Sequence, residues 1–288
     1  MPAPPPPPVP ILNTYTSLLR TLSSFLTVAI HTLLYERALY PATSFISARA
    51  YNYPVRQSRH PKVCEWVSDA VAAVEKEMAE GRVDKISFVV YDVADRTQAV
   101  VQERWVFDVG AWPVVARTDR FVEFEDPPSG KGKGIEQPVN EDEGGDKEQT
   151  AGGEVKIHIV DIEEQLRATI RRLAYTAEKM PKLPEGCTYT IIVELRDDAT
   201  PPIGHPQPWV PSPPALQKTV DKETETTTEG PALRGPRATP IRSVDSGAFV
   251  LETWVEQAAL PEEKQEDRKG KGKATSDSQY PRSPAMRV

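Results

Sequence analysis

Apolar residues first recur with a helical period. Leu18, Leu22, Leu26, Ile30 and Leu34 return at every fourth position. Leu19, Phe25, Ala29 and Leu33 widen this stripe until little polar face remains, and a helix apolar nearly all round is buried on most sides. The pattern predicts a central helix over 13–39, capped by Asn13 or Thr14. It stops at Tyr40, because Pro41 disfavours helical geometry in the residue before it. The most apolar window, 22–35, contains Ser23, Ser24, Thr27, His31 and Thr32 and is closely flanked by Arg20 and Glu36. It reads as too short and too polar for a membrane span, so a buried core helix is expected.

Further elements follow by the same reading. Residues 45–53 suit a short strand or a hairpin arm. A second helix begins with Pro61 in its first turn, buries Val63, Val67, Ala70, Val71, Val74 and Met78, and ends at Gly81. Residues 85–92 form a continuous β-branched and aromatic run, expected near the centre of a sheet. Val101, Glu103, Trp105, Phe107 and Val109 alternate with mostly more polar neighbours, as do Cys187, Tyr189, Ile191, Val193 and Leu195. Between these two strands, Leu166, Ile170, Leu173 and Ala177 predict a third helix over 162–179, with Asp161 and Glu164 at capping-box spacing. A last strand, 247–257, places Phe249, Leu251, Thr253 and Val255 on one side and Trp254 on the other.

Composition changes the picture at the ends and in two interruptions. The chain has 288 residues, 29 of them proline, and a mean hydropathy of −0.47, which fits one ordered domain broken by disordered segments. Residues 1–12 read as a proline-rich disordered tail without the basic start of a secretory signal. Residues 119–154 hold 11 acidic and 4 basic side chains, an imbalance that accounts for the whole net charge of −7. That stretch cannot bury enough apolar area to offset its ordering entropy, so a disordered acidic insertion is expected inside a domain spanning 13–258. Residues 197–240 are rich in proline, threonine and charge, with 219–236 expected to be disordered, and 259–288 read as a disordered tail. The remainder is near neutral and offers no basic nucleic-acid footprint, so any role near DNA would be indirect. The two cysteines, Cys64 and Cys187, form no disulfide framework and suggest a reducing compartment.

Catalytic signals are lacking. Gly130-Lys131-Gly132-Lys133-Gly134 does not have phosphate-loop spacing. His31, His60, His158 and His205 share no metal-ligand spacing; His31 reads as a hydrogen-bonded core residue. No metal, cofactor or enzymatic activity is expected. Aromatic residues are more informative. Trp66 falls at the rim of the second helix, Tyr40 at the end of the first, and Trp209 among prolines in an irregular stretch. Each is either an ordinary packing anchor or, together with the others, part of a slot for proline rings, whose flat faces they complement. Trp254 is either an exposed partner surface or is covered by another part of the chain.

The order of several short motifs is distinctive. They are Leu34-Tyr35-Glu36-Arg37, Leu39-Tyr40-Pro41, Tyr51-Asn52-Tyr53-Pro54-Val55, Ser58-Arg59-His60-Pro61, Gly186-Cys187-Thr188-Tyr189-Thr190 and Pro208-Trp209. Together they resemble the HORMA-domain family, in particular its branch of translesion DNA polymerase zeta accessory subunits. Glu103-Arg104-Trp105-Val106-Phe107-Asp108 also resembles the spindle-checkpoint branch, which supplies the alternative reading.

The resemblance implies an α+β fold: three helices packed on an antiparallel sheet, with residues 197–257 as a C-terminal safety belt that wraps a bound peptide. It implies a non-catalytic adaptor in the nucleus. Tyr40, Trp66 and Trp209 would contact a proline-containing peptide of the polymerase zeta catalytic subunit. Glu252 and Trp254 would lie on the surface for the C-terminal domain of a scaffold translesion polymerase. Arg167 would serve homo- or hetero-dimerisation with a second HORMA domain. No membrane partner is implied.

Overall fold

Thr14 starts the first helix with a reciprocal cap: its hydroxyl accepts from the Ser17 amide at 3.2 Å, and the Ser17 hydroxyl accepts from the Thr14 amide at 3.3 Å. In the computed structural model, which describes residues 14–92, 100–123, 159–202, 209–212, 218–221, 226–229, 237–247 and 249–257, α1 spans Tyr15–Glu36. It ends earlier than its apolar pattern suggests. Arg37 caps it, and Ala38 turns into left-handed backbone at φ 52° before Pro41 is reached. By length and composition α1 could cross a membrane, but Leu18, Phe25, Ala29, Leu33 and Leu34 are fully buried within the protein. Each buried leucine or phenylalanine contributes about 1.5–3 kcal/mol, which makes this helix the axis of the core.

The chain then forms a hairpin, β1 (Phe45–Ala50) and β2 (Tyr53–Ser58), in antiparallel register with Ala50 opposite Tyr53. Its two-residue turn, Tyr51-Asn52, has φ of 50° and 55°, the backbone that a tight hairpin of this twist requires. The helix α2 (Pro61–Ala79) follows, and Gly81 turns the chain at φ 70° into β3 (Val83–Asp92). The remaining principal elements are β4 (Val100–Asp108), α3 (Ile159–Lys179) and β5 (Cys187–Leu195). The last four strands are β6 (Lys218–Asp221), β7 (Thr226–Glu229), β8 (Arg237–Asp245) and β9 (Val250–Gln257).

The principal sheet is antiparallel, in the order β5-β3-β4-β9-β8. Ile86, Phe88, Val90, Trp105 and Phe107 point from β3 and β4 into the core shared with the helices. The fold is therefore α+β, three helices on an antiparallel sheet.

A buried cluster locks the helices to this sheet. Arg37 donates from Nε and Nη2 to the Glu103 carboxylate at 2.9 and 2.5 Å, and from its guanidinium to the Ala177 and Pro181 carbonyls. It thus ties the end of α1 to β4 and satisfies carbonyls that the last turn of α3 would leave orphaned. The Trp105 indole donates to the same carboxylate at 3.1 Å. Burial pushes the Glu103 carboxyl above its ordinary range, and Arg37 pulls it partly back.

Several local expectations are corrected. The structure begins α3 at Ile159, which puts Asp161 inside the first turn rather than at the cap. Residues 119–123, read as the start of a disordered insertion, are folded: Val122 donates to the Asp119 carbonyl at 3.0 Å and Glu123 bridges Thr14. The rest of that insertion, 124–154, lies outside the described residues, as do 1–12 and 259–288. Within 219–236, expected to be disordered, β6 and β7 pair with Thr219 opposite Thr228, as threonine's preference for pleated backbone allows. The strand β8 begins inside the stretch 197–240, whose proline, threonine and charge carry no strand pattern, and it contains Pro240. That proline sits on an edge strand, at a register shift between Pro240 and Arg242, where the ladder tolerates a missing donor.

Candidate functional site: an aromatic groove beside an unpaired strand edge

The outermost strand on one side of the sheet is β5. It pairs with β3 only, and among the described residues no strand pairs with its outer side. All nine of its residues are half-buried. A long apolar edge of this kind is a template for another backbone. The start of β5 is set by Gly186, whose φ of 88° suits glycine best.

At this corner three chain segments meet. The turn after α1 supplies Tyr40, the first turns of α2 supply Trp66, and β5 supplies Tyr189. Together they line a groove of about 540 Å³, within the range of small-ligand and peptide clefts. Tyr189 is the centre of the constellation. Its ring stacks on Phe88 with centroids 5.4 Å apart and meets Trp66 edge-on at 5.0 Å and Tyr40 edge-on at 6.1 Å. The Tyr40 and Tyr189 hydroxyls are 3.0 Å apart. Burial, reinforced by the Tyr40 hydroxyl, pushes the Tyr189 phenol well above its ordinary pKa. Trp66 remains 38 % exposed. Such a surface offers flat apolar faces and a hydrogen-bonding rim.

The wall opposite is built by the Ser58-Arg59-His60-Pro61 motif. The Ser58 amide donates to His31 Nδ1 at 3.5 Å, its hydroxyl accepts from the His60 amide at 3.2 Å, and its carbonyl accepts from Cys64 Sγ at 3.2 Å. These contacts fix the chain where β2 becomes α2 and place His60 and Lys62 on the groove. Burial holds the His31 imidazole below its ordinary pKa, as suits the neutral acceptor expected of a core histidine.

Of the three residues expected to share a slot, the structure brings Tyr40 and Trp66 together. Trp209 is half-buried against the hydrophobic core and does not line the groove; its indole N–H has no hydrogen-bond partner among the described residues. The residue that sequence reasoning passed over is Tyr189, which looked like one more inward position of an alternating strand. Its place in Gly186-Cys187-Thr188-Tyr189-Thr190 was the available signal.

The other expected surfaces lie elsewhere. Trp254 is half-buried on β9, opposite Val106 of β4, and its indole donates to Glu256 at 2.8 Å. Glu252 is exposed on the same strand. Beneath them Arg104 spans the sheet, pairing with Glu194 of β5 and, through Nε at 3.5 Å, with Glu256 of β9. Arg167 lies part-exposed on α3 and pairs with Glu164 at 3.1 Å. No cluster of three or more metal-ligating side chains occurs among the described residues.

The stretch between β5 and β8 is held at both ends. It leaves β5 at Arg196, whose guanidinium donates to the Val83, Gly110 and Trp112 carbonyls at 3.1, 2.9 and 3.1 Å. It rejoins the sheet at β8, on the opposite edge. Four inter-strand steps separate the two edges, about 19 Å at ~4.8 Å each. There the hairpin of β8 and β9 docks on β4, and Phe249 packs against Trp112 with ring centroids 4.3 Å apart.

Known proteins resemble this chain over most of its length. The chain is 29 % identical over 238 residues to the DNA polymerase zeta processivity subunit of Schizosaccharomyces pombe, covering 81 % of this chain and 89 % of that one. It is 24 % identical over 243 residues to the human mitotic spindle assembly checkpoint protein MAD2B, covering 83 % and 90 %. Among solved structures, it matches a chain of the mitotic checkpoint complex at a TM-score of 0.54 and 18 % identity, over 84 % of this chain and 99 % of that one. It also matches C. elegans HTP-2 bound to an HTP-3 closure motif at 0.53 and 14 %, over 86 % and 88 %; at such identities the likeness concerns the fold. The HORMA domain family model matches residues 19–230, and the chain belongs to the HORMA-domain family.

Proposed function

We propose that this protein is a non-catalytic adaptor of the polymerase zeta type. It clasps a proline-containing peptide of the polymerase zeta catalytic subunit and links it to a scaffold polymerase during translesion synthesis in the nucleus. The observation that carries this reading is the juxtaposition of an unpaired apolar strand edge with an aromatic groove. A guest strand laid along β5 gains main-chain hydrogen bonds, while Tyr40, Trp66 and Tyr189 receive its proline. The stretch from Arg196 to β8 would cross the guest as a belt, because its two ends are held on opposite edges of the sheet. Release then requires that crossing to open, so residence is governed by an opening barrier more than by contact area. Trp254 and Glu252 alternate along β9 with the core residues Leu251 and Val255, and their face of the hairpin would meet the scaffold. Arg167, on an outer part of α3, would serve pairing with a second HORMA domain.

Names of the relatives support the assignment: a polymerase zeta processivity subunit is among them. A second reading, a spindle-checkpoint switch, is favoured by similarity to MAD2A of Dictyostelium discoideum, at 25 % identity over 193 residues. The two separate in deletion cells. Loss of ultraviolet-induced mutagenesis with intact arrest in a microtubule poison supports the adaptor, and the opposite outcome supports the switch. At the molecular level, a pull-down with the catalytic-subunit peptide should weaken on Trp66→Ala.

A further inference from the structure

The aromatic groove is also positively charged. Lys62 and His60 line it, no carboxylate does, and the first turn of α2 carries no acidic residue. Among the described residues neither side chain makes an ion pair or a hydrogen bond. Lys62 stands one helical turn before Trp66 on α2, and residues four apart on a helix have their Cβ atoms about 5–6 Å apart along one face. An extended guest presents every second residue on one face, about 6.6 Å apart. The two spacings agree.

We infer that the captured segment carries an aspartate or glutamate two residues from the proline that packs on Trp66, with its carboxylate against the Lys62 ammonium. This deepens the proposed function and rests on the groove being the proline slot. A guest lying in the groove displaces water from around both charges and so strengthens their attraction. An alanine there would forgo it, and a lysine would face the Lys62 ammonium. Charge at this point therefore selects among proline-bearing segments that the aromatic wall alone would treat alike.

Two fluorescein-labelled synthetic peptides test the inference. Both are extended, apolar and carry one central proline; one has aspartate two residues to either side of it, the other lysine at both places. Anisotropy titration with the full chain is expected to show the aspartate peptide binding about fivefold more tightly at low salt, with the advantage shrinking as salt is raised. Lys62→Glu reverses the preference and Lys62→Gln erases it; Lys62 is exposed, so neither change disturbs the fold. Equal binding of both peptides to the wild-type chain overturns the inference and leaves the proline slot standing. An aspartate preference that survives Lys62→Glu overturns the assignment to Lys62. Failure of both peptides to bind the wild-type chain overturns the slot itself, and the inference with it.

Discussion

The hydroxyls of Tyr40 and Tyr189 meet at 3.0 Å, joining the end of the central helix to the edge strand across 149 positions of sequence. The Tyr189 ring does more than this hydrogen bond, because it also supports Trp66 and rests on Phe88. Tyr189→Phe should cost peptide affinity about 0.5–1 kcal/mol through the lost hydrogen bond. Tyr189→Ala, which removes aromatic contacts worth about 0.5–1.5 kcal/mol each as well, should weaken binding more than tenfold. Titration calorimetry on the two variants separates the hydroxyl from the ring.

Arg37 and Glu103 form a buried pair with side chains 3 % and 4 % exposed. Removing either partner strands the other charge away from water. Arg37→Ala and Glu103→Ala should each destabilise the fold by about 3–5 kcal/mol. The double replacement Arg37→Met with Glu103→Leu should recover much of that loss, since no unpaired charge remains. Urea denaturation of the singles and the double gives the coupling energy directly.

Arg104 joins the edge strand to the docked hairpin through Glu194 and Glu256. Its side chain is 7 % exposed, so Arg104→Ala takes from Glu256 its cation and leaves Glu194 with Lys85 alone, at 3.8 Å. Hydrogen exchange should accelerate about tenfold in β8 and β9, as expected for ~1.4 kcal/mol of lost local stability, while amides of α1 keep their protection. Uniform acceleration everywhere would mean that Arg104 supports the whole fold rather than the hairpin.

Stability should fall on acidification through His31. Burial lowers its folded pKa below that of the unfolded chain, so the unfolded state binds the proton first. The imidazole's contribution is complete above the unfolded value of about 6.5 and is lost as pH falls toward the folded value, at up to about 1.4 kcal/mol per pH unit. His31→Gln keeps an acceptor for the Ser58 amide but cannot titrate. The stability difference between wild type and this variant should therefore shift against wild type between pH 7 and pH 5, as read by denaturant melts.

Much of the fold was legible in the sequence because its signals are local. The leucine stripe of α1, Pro61 at the start of α2 and the alternation of β5 each report a face that must be buried, and all three elements appear where expected. What escaped was relational. The strand β8 carries a proline and weak alternation, and its pairing with β9 is decided by tertiary contact. The pairing of Arg37 with Glu103 joins positions 66 apart, and neither residue alone announces a buried charge. Tyr40 and Trp66 were legible as rim aromatics. The groove they form depends on β5 standing at the sheet edge, and only the strand order reveals that.

Amide hydrogen exchange on the full chain, with and without the proline-containing peptide of the polymerase zeta catalytic subunit, addresses the central claim most directly. A guest strand seated on the free edge should slow exchange across Cys187–Leu195, where outward-facing N–H groups gain partners, and leave β8 at the opposite edge unchanged. Tight binding that protects β8 while β5 exchanges as before would place the guest on the wrong side of the sheet and contradict the account.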